Sequence, residues 1–325
     1  MPRLTVLGSL NMDISVAVRR LPAAGETVLG TSAVIAPGGK GANQAVAAAR
    51  LGAAVRMIGC TGDDSFGEMA RSALSAEGVD VTGVRVLGGS ATGLALITVD
   101  SAGENIITVA AGANGLVGPA ETDAALAAGG DVLVLSAEIP RSVLAAALAD
   151  ARAIGLACVL NLAPAPAAPA DAVALLAGGV DWLVVNESEA GAVLGRAVAG
   201  LDEARLAARD LVGLGARHAV VTAGSRGAAV SGASAGGSAG ASAGEPGAEA
   251  VPAFRVPSVD SVGAGDAFVA ALGVAVAAGV AALDAVRLAS AAGATATTRR
   301  GTQDGLPRPA DIFAATGETW PVAAN

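Results

Sequence analysis

Apolar and polar positions fall into two rhythms along this chain. From Asp131 onward, short solid apolar runs alternate with longer helical stretches. Strands are expected at Val132–Ser136, Ala157–Asn161, Trp182–Val185 and Ala219–Thr222, and a helix at Pro140–Ile154. Strands buried on both faces read as continuous Val/Ile/Leu runs, and strand–helix alternation implies a parallel sheet with right-handed crossovers. Near the N-terminus, Arg3–Leu7 and Val55–Cys60 belong to the same class, the latter followed by a helix to about Ala76. The second rhythm is two-residue alternation, in Ile14–Ile35 and again in Thr92–Val109 around a turn at Asp100–Asn105. These read as two ribbons that pair into a small sheet outside the main one, where they would form a lid. The fold class expected is α/β: a central, mostly parallel sheet with helices on both faces, plus a small β-sheet lid built from segments at about 14–36 and 91–110.

Composition adds constraints. Of 325 residues, 53% are hydrophobic but only 2% aromatic, so a core of small side chains requires close helix–sheet contact. No apolar run reaches the about 20 residues needed to span a bilayer, so no membrane partner is expected. The N-terminus reads as a first strand, without the longer apolar run of a signal peptide. The net charge of −9 argues against nucleic acid as a partner. Cys60 and Cys158 lie far apart in apolar segments and read as buried thiols of a cytoplasmic protein. The single His218 leaves little room for histidine chemistry, and a structural or surface role is favoured.

The Ser231–Pro252 segment is Gly/Ala/Ser-rich and reads as a flexible loop between hairpin strands. It contains three G-x-S-x-G matches, at Ser234, Ser238 and Ser242. None follows a strand or opens a helix, so none qualifies as a nucleophile elbow.

Candidate chemistry gathers at five places. In Val262-Gly263-Ala264-Gly265-Asp266 two glycines feed a buried apolar helix. Backbone N–H groups there would favour an anion, with Asp266 beside it as a carboxylate able to take a proton. The same residues also suit a capped helix whose Asp favours the dipole. Pro37-Gly38-Gly39-Lys40-Gly41-Ala42-Asn43-Gln44 precedes an apolar helix expected at Ala45–Leu51. It is neither a Walker A loop nor a Rossmann fingerprint, so Lys40 and Asn43 would contact a polar small molecule. Asn11 and Asp13, just past the first strand, could reach hydroxyls of a polyol or form an Asx turn. Polar residues recur at later strand ends: Glu138, Asn161, Asn186, Glu189 and Thr222–Gly227, the level at which a nucleotide lies in such sheets. Asp63 and Asp64 read as helix-capping residues, and Arg299 and Arg300 as a helix C-cap in preference to a phosphate clamp.

Gly38–Ala45 and Asp260–Asp266, with Gly8–Asp13, Asn186–Ala190 and Thr222–Gly227 in order and spacing, resemble the ribokinase-like (PfkB) carbohydrate kinase family across nearly the whole chain. The resemblance implies ATP-dependent phosphorylation of the 5-hydroxyl of D-ribose; the alternatives are another sugar or nucleoside, or a non-catalytic sugar-binding regulator. It implies Asp266 as base and Gly263, Ala264 and Gly265 as the anion hole. Asn11, Asp13, Gly39, Lys40, Gly41, Asn43 and Glu138 would hold the sugar. Asn186, Thr222, Gly224, Ser225, Arg226, Gly227, Gly265 and Ser290 would line the ATP site, with Glu189 near Mg2+. A monovalent cation, K+, would map to Asp260, Val262, Ala296, Arg299, Gly301 and Gly305, mostly through backbone carbonyls. The family also implies a homodimer through the lid. The chain departs from the family at Ser290, where a larger residue often stands beside the adenine, and at Gly305, where a serine helps ligate the cation.

Overall fold

The computed structural model describes residues 1–232 and 247–322. Among them, in chain order, are β1 (Arg3–Leu7), β2 (Asn11–Val18), β3 (Gly30–Gly38), α1 (Lys40–Arg50), β4 (Ala54–Gly62), α2 (Ser65–Ala76), β5 (Asp80–Leu87), β6 (Gly93–Val99), β7 (Asn105–Ala110) and α3 (Pro119–Ala127). There follow β8 (Val132–Ser136), α4 (Arg141–Ala153), β9 (Ala157–Asn161), α5 (Pro169–Ala177), β10 (Val180–Asn186), α6 (Glu187–Leu194), α7 (Leu201–Gly213), β11 (Ala216–Thr222), β12 (Gly227–Gly232), β13 (Ala248–Pro252), α8 (Ala264–Ala277), α9 (Ala282–Ala296) and α10 (Pro309–Thr316).

Nine strands form one sheet in the order β13-β12-β11-β10-β9-β8-β1-β4-β5. It is parallel from β5 to β11, and β12 and β13 close it as an antiparallel edge. Alternate strand residues feed two cores, because successive side chains point to opposite faces. Val132 and Val134 pack with α1, α8 and α9, whereas Leu133 and Leu135 pack with α4 and α7. From β1 the sheet grows outward both ways, through β4 on one side and β8 on the other. Their carboxyl ends therefore open a crevice at a topological switch point, where open α/β sheets bind ligands.

The two ribbons pair as expected into a second sheet, β3-β2-β6-β7, joined by the parallel β2–β6 pair. Its first strand begins at Asn11, so Asn11 and Asp13 sit on a strand and not in an Asx turn. Asp64 caps α2 by accepting from Gly67 N at 2.8 Å. Both thiols are free and buried. His218 lies within β11, stacked on Trp182 with ring centroids 4.2 Å apart. No helix among the described residues is long and apolar enough to cross a membrane.

Four expectations need correction. The glycine-rich Pro37–Gln44 segment is not all loop: α1 starts at Lys40, which places Lys40, Asn43 and Gln44 in its first turn. The expected loop at 231–252 is shorter, because Ser231–Gly232 end β12 and Ala248–Pro252 form β13. Ser234, Ser238, Ser242 and the rest of residues 233–246 lie outside the described residues. β5 had no counterpart in the apolar pattern, since Gly83 and a register shift against β4 interrupt its alternation. A Cβ at Gly83 would meet the tip of the Ile58 side chain and lie 3.0 Å from Met57 O. Finally, Arg299 does not cap α9; its guanidinium pairs with Asp311 at 2.6 Å, in the first turn of α10.

Candidate active site

Two helix N-termini face the crevice, and each is preceded by a left-handed glycine. Gly39 (φ 91°) precedes α1 and Gly263 (φ 80°) precedes α8. A side chain is excluded at both by backbone: a Cβ on Gly39 would lie 2.7 Å from Asn11 N, and one on Gly263 2.9 Å from Thr302 O. Gly41 is as confined, with Ser9 N 2.6 Å from its ideal Cβ. At Gly265 the space a Cβ would take is open, so backbone is accessible there to an incoming group. First-turn N–H groups have no intrahelical acceptor and carry the positive end of the dipole. Of the expected anion-hole donors, Ala264 N–H also leans on Ser261 O at 3.3 Å.

Asp266, in the first turn of α8, is 8% exposed. Its Oδ2 accepts from Asn43 Nδ2 at 2.9 Å and its Oδ1 from Gln44 Nε2 at 3.1 Å. Burial pushes its carboxyl above the ordinary value; Lys40 and the two amides pull it down, and Glu138 adds to the rise. A buried carboxyl held this way is poised to take a proton nearer neutral pH than a surface aspartate. Gln303 Nε2 donates to Asn43 Oδ1 at 3.2 Å, and so turns the Asn43 amide nitrogen toward Asp266.

The polar set at the lid end is equally tied down. Glu138 Oε2 accepts from Ser9 Oγ at 2.5 Å and from Lys40 N at 3.1 Å. Asn11 is buried, its Oδ1 accepting from Asn114 Nδ2 at 2.7 Å, and Asn114 in turn closes on Leu10 N at 2.9 Å. Asp13 lies against Gly38, where a Cβ would meet its carboxylate at 2.2 Å. Burial first, then Glu138 and Asp266, raise its carboxyl to about 6, with Lys40 acting the other way. Burial lowers Lys40, but Asp266, Glu138, Glu189 and Asp13 outweigh it and hold the ammonium above its ordinary value. A cation thus sits among four carboxylates.

On the far side of α8, a cavity of about 610 Å³ opens between β11–β12, the 253–261 segment, α8 and α9. Thr222, Gly224, Ser225, Gly227, Ala264, Gly265 and Ser290 are among its lining. Its size and its glycine-rich, partly apolar wall suit a nucleotide. Asn186 and Arg226 stand outside that lining. Asn186 caps α6 in a reciprocal pair with Glu189, at 2.8 Å each way, and Arg226 pairs with Glu187 at 2.5 Å. Burial raises the Glu189 carboxyl, with the Asn186 N–H and the Lys40 charge acting the other way.

The cation residues also converge. An ideal Cβ at Gly305 would lie 2.7 Å from Gly301 O, 3.1 Å from Ala296 O and 3.5 Å from Arg299 O. Three backbone carbonyls thus crowd the Gly305 Cα. Asp260 braces the loop by accepting from Val262 N at 3.0 Å and Gly301 N at 3.1 Å. Gly305 therefore has a steric reason: a serine there would collide with the Gly301 carbonyl.

Hydrogen bonds and charge interactions link Asp13, Lys40, Asn43, Glu138 and Asp266, whereas the Asn11 side chain is bonded to Asn114. Sequence reasoning missed the roles of Ser9, Gln44, Asn114 and Gln303. Only Gln44 carried a signal, through its place in the glycine-rich segment.

Known proteins resemble this chain throughout its length. It matches the pfkB family carbohydrate kinase model over residues 1–309. It is 35% identical over 306 residues to a ribokinase of Haemophilus influenzae, covering 94% of this chain and 95% of that protein. The solved structure of Arabidopsis thaliana ribokinase complexed with ribose and ATP superposes with a TM-score of 0.80 at 28% identity, covering 96% of this chain and 98% of that one. Phosphofructokinase-2 from Escherichia coli in complex with potassium superposes with a TM-score of 0.75 at 26% identity, covering 97% and 98%.

Proposed function

The chain belongs to the pfkB family of carbohydrate kinases, and from that premise we propose that it transfers the γ-phosphoryl of ATP to the 5-hydroxyl of D-ribose. The observation that carries this reading is the position of Asp266, buried between a sugar-type amide and carboxylate set and a helix N-terminus that opens onto the nucleotide-sized cavity.

Asn11, Asp13, Gly39, Lys40, Gly41, Asn43 and Glu138 hold the sugar beneath the small sheet. Asp266 takes the proton of the 5-hydroxyl as its oxygen attacks the γ-phosphorus and ADP departs. N–H groups of Gly263, Ala264 and Gly265 hold the charge that develops on the transferring group. Thr222, Gly224, Ser225, Gly227 and Ser290 line the nucleotide, with Asn186 and Arg226 at its edge. Mg2+, held near Glu189, would neutralise phosphate charge. The small sheet closes over the sugar and keeps water from the phosphoryl group.

K+ would bind at the ring of backbone carbonyls of Ala296, Arg299 and Gly301 beside Gly305, together with Asp260 and Val262, in the loop that Asp260 braces through Gly301 N. That ring abuts Gly263 through Thr302, so filling it would stiffen the anion hole. ADP release by the purified protein should require ribose, be fastest with ribose in a panel of pentoses, hexoses and nucleosides, and rise several-fold when K+ replaces tetramethylammonium. Turnover of another acceptor in preference to ribose would refute the substrate; indifference to K+ would refute the cation site.

The small sheet exposes Val34, Ile107 and Val109 on one face and Ile35, Leu96 and Ile106 on the other, apolar surface that a second copy of the lid would cover in part. A homodimer in sedimentation equilibrium, converted to monomer by Ile107→Asp, is the expected result; a wild-type monomer would overturn it. Buried free thiols at Cys60 and Cys158 suit the cytoplasm.

A further inference from the structure

Gln44 is fully buried, stands outside the lining of the nucleotide-sized cavity, and yet is bonded to the proposed base. Its Nε2 donates to two acceptors at once, Asp266 Oδ1 and Asn161 Oδ1, both at 3.1 Å. Its Oε1 is buried without a hydrogen-bond partner among the described residues. Turning the amide over would set that oxygen against two acceptor oxygens and leave both without a donor. The two acceptors therefore fix the orientation, and the chain tolerates an orphaned carbonyl oxygen to keep an N–H on Asp266. Orphans of this kind are uncommon in protein interiors and ask for a reason.

Asn43 cannot supply that reason alone. It lies in the same turn of α1, and its Oδ1 is held by Gln303 at 3.2 Å. Under the proposed function Asn43 also contacts the sugar, so its bond to Asp266 is shared with substrate. Gln44 has no such competitor. Asn161, at the carboxyl end of β9, is braced on the next strand through Nδ2 to Val184 O at 3.4 Å, so the support of Gln44 is rooted in the main sheet.

We propose that Gln44, braced by Asn161, is the positioning residue that fixes the Asp266 carboxylate and sets the pH at which it becomes a competent base. The inference rests on the reading of Asp266 as base. The groups facing Asp266 are Lys40, Asn43 and Gln44 from α1, Glu138 beyond β8 and Asp13 from β2. Of these, Gln44 acts only through a hydrogen bond, and a donor to a carboxylate favours its charged form. Removing the donor raises the carboxyl, keeps it protonated to higher pH and moves the acid limb of the rate profile upward.

The test is the pH profile of kcat and kcat/KM for the wild type, Gln44→Met and Gln44→Glu, with ribose and ATP. Both substitutions keep the side-chain length, so either reads the effect if the other fails to fold. Gln44→Met should move the acid limb up by about one pH unit and recover near-wild-type kcat above it. Gln44→Glu should move it further, because two adjacent carboxyls resist ionising together. KM for ATP should not change. An unmoved limb, or a loss by the same factor at every pH, would overturn the proposal and leave Gln44 a packing residue. Asp266→Asn in the same series separates the two ideas. If it retains turnover, the base assignment fails; if it is inactive while the Gln44→Met limb stays in place, only the role of Gln44 fails.

Discussion

Asp266→Asn is expected to lower kcat by about 10³-fold or more, within the range attributed to loss of general-base catalysis. Ribose and ATP should still bind, because sugar contacts at Asn11, Asp13 and Glu138 and the cavity wall at Thr222–Gly227 do not pass through the carboxylate. Relative to the wild type, the variant should also gain stability as pH rises. Burial raises the Asp266 carboxyl above its unfolded value, so between those two values the folded state holds the extra proton. Stability from this group is therefore greatest below the ordinary carboxylate value and falls as pH rises through the folded one. An amide does not ionise, although its NH2 would face one of the two amide donors that meet the carboxylate, so the melting temperature of Asp266→Asn should rise relative to that of the wild type from about pH 4 upward. Isothermal titration with each ligand, a coupled ADP assay and melting curves at several pH values would check all three parts. Near-normal kcat would remove Asp266 as the base.

The large-scale architecture was legible because it rests on burial period. β8 and β9 are continuous apolar runs with a helix on each face, and their expected ranges coincide with the observed ones. Both ribbons were legible for the complementary reason, two-residue alternation around a polar turn. The start of α1 was not. Gly38, Gly39 and Gly41 read as loop because glycine weakens helices, but Gly41 lies inside the helix since the backbone at Gly8–Ser9 passes too close for a Cβ. Close approach between Gly41 and Ser9, 32 residues apart, leaves no local trace. The site divides the same way. Asp266 and Asn43 stood in recognisable segments, whereas Ser9, Asn114 and Gln303 act as braces whose partners are distant in sequence. Asn114 is 103 residues from the Asn11 it holds, and nothing near it announces that contact.

Lys40→Met should show how strongly the carboxylates depend on their cation. Asp13, Glu138, Glu189 and Asp266 all raise Lys40, and Lys40 is the cation that lowers both Asp13 and Asp266. Without it, Asp13 would rise further from about 6 and Asp266 would follow, since burial and mutual repulsion remain while the attraction is lost. Near neutral pH some of each carboxyl would then be protonated, which costs the sugar an acceptor and the reaction its base. Under the proposed function Lys40 is the cation that interacts with Asp266, so transition-state charge would also lose a partner. We expect kcat/KM for ribose at pH 7 to fall about 10²–10³-fold, comparable to removing one donor from an anion hole. Part of that loss should be recovered as pH is raised, because deprotonation restores Asp13 and Asp266 but not the missing charge. Asp266→Asn should show no such recovery, because an amide does not titrate. A Lys40→Met profile parallel to the wild type at every pH would mean that the ammonium acts on the phosphoryl group alone and leaves the carboxylates untouched.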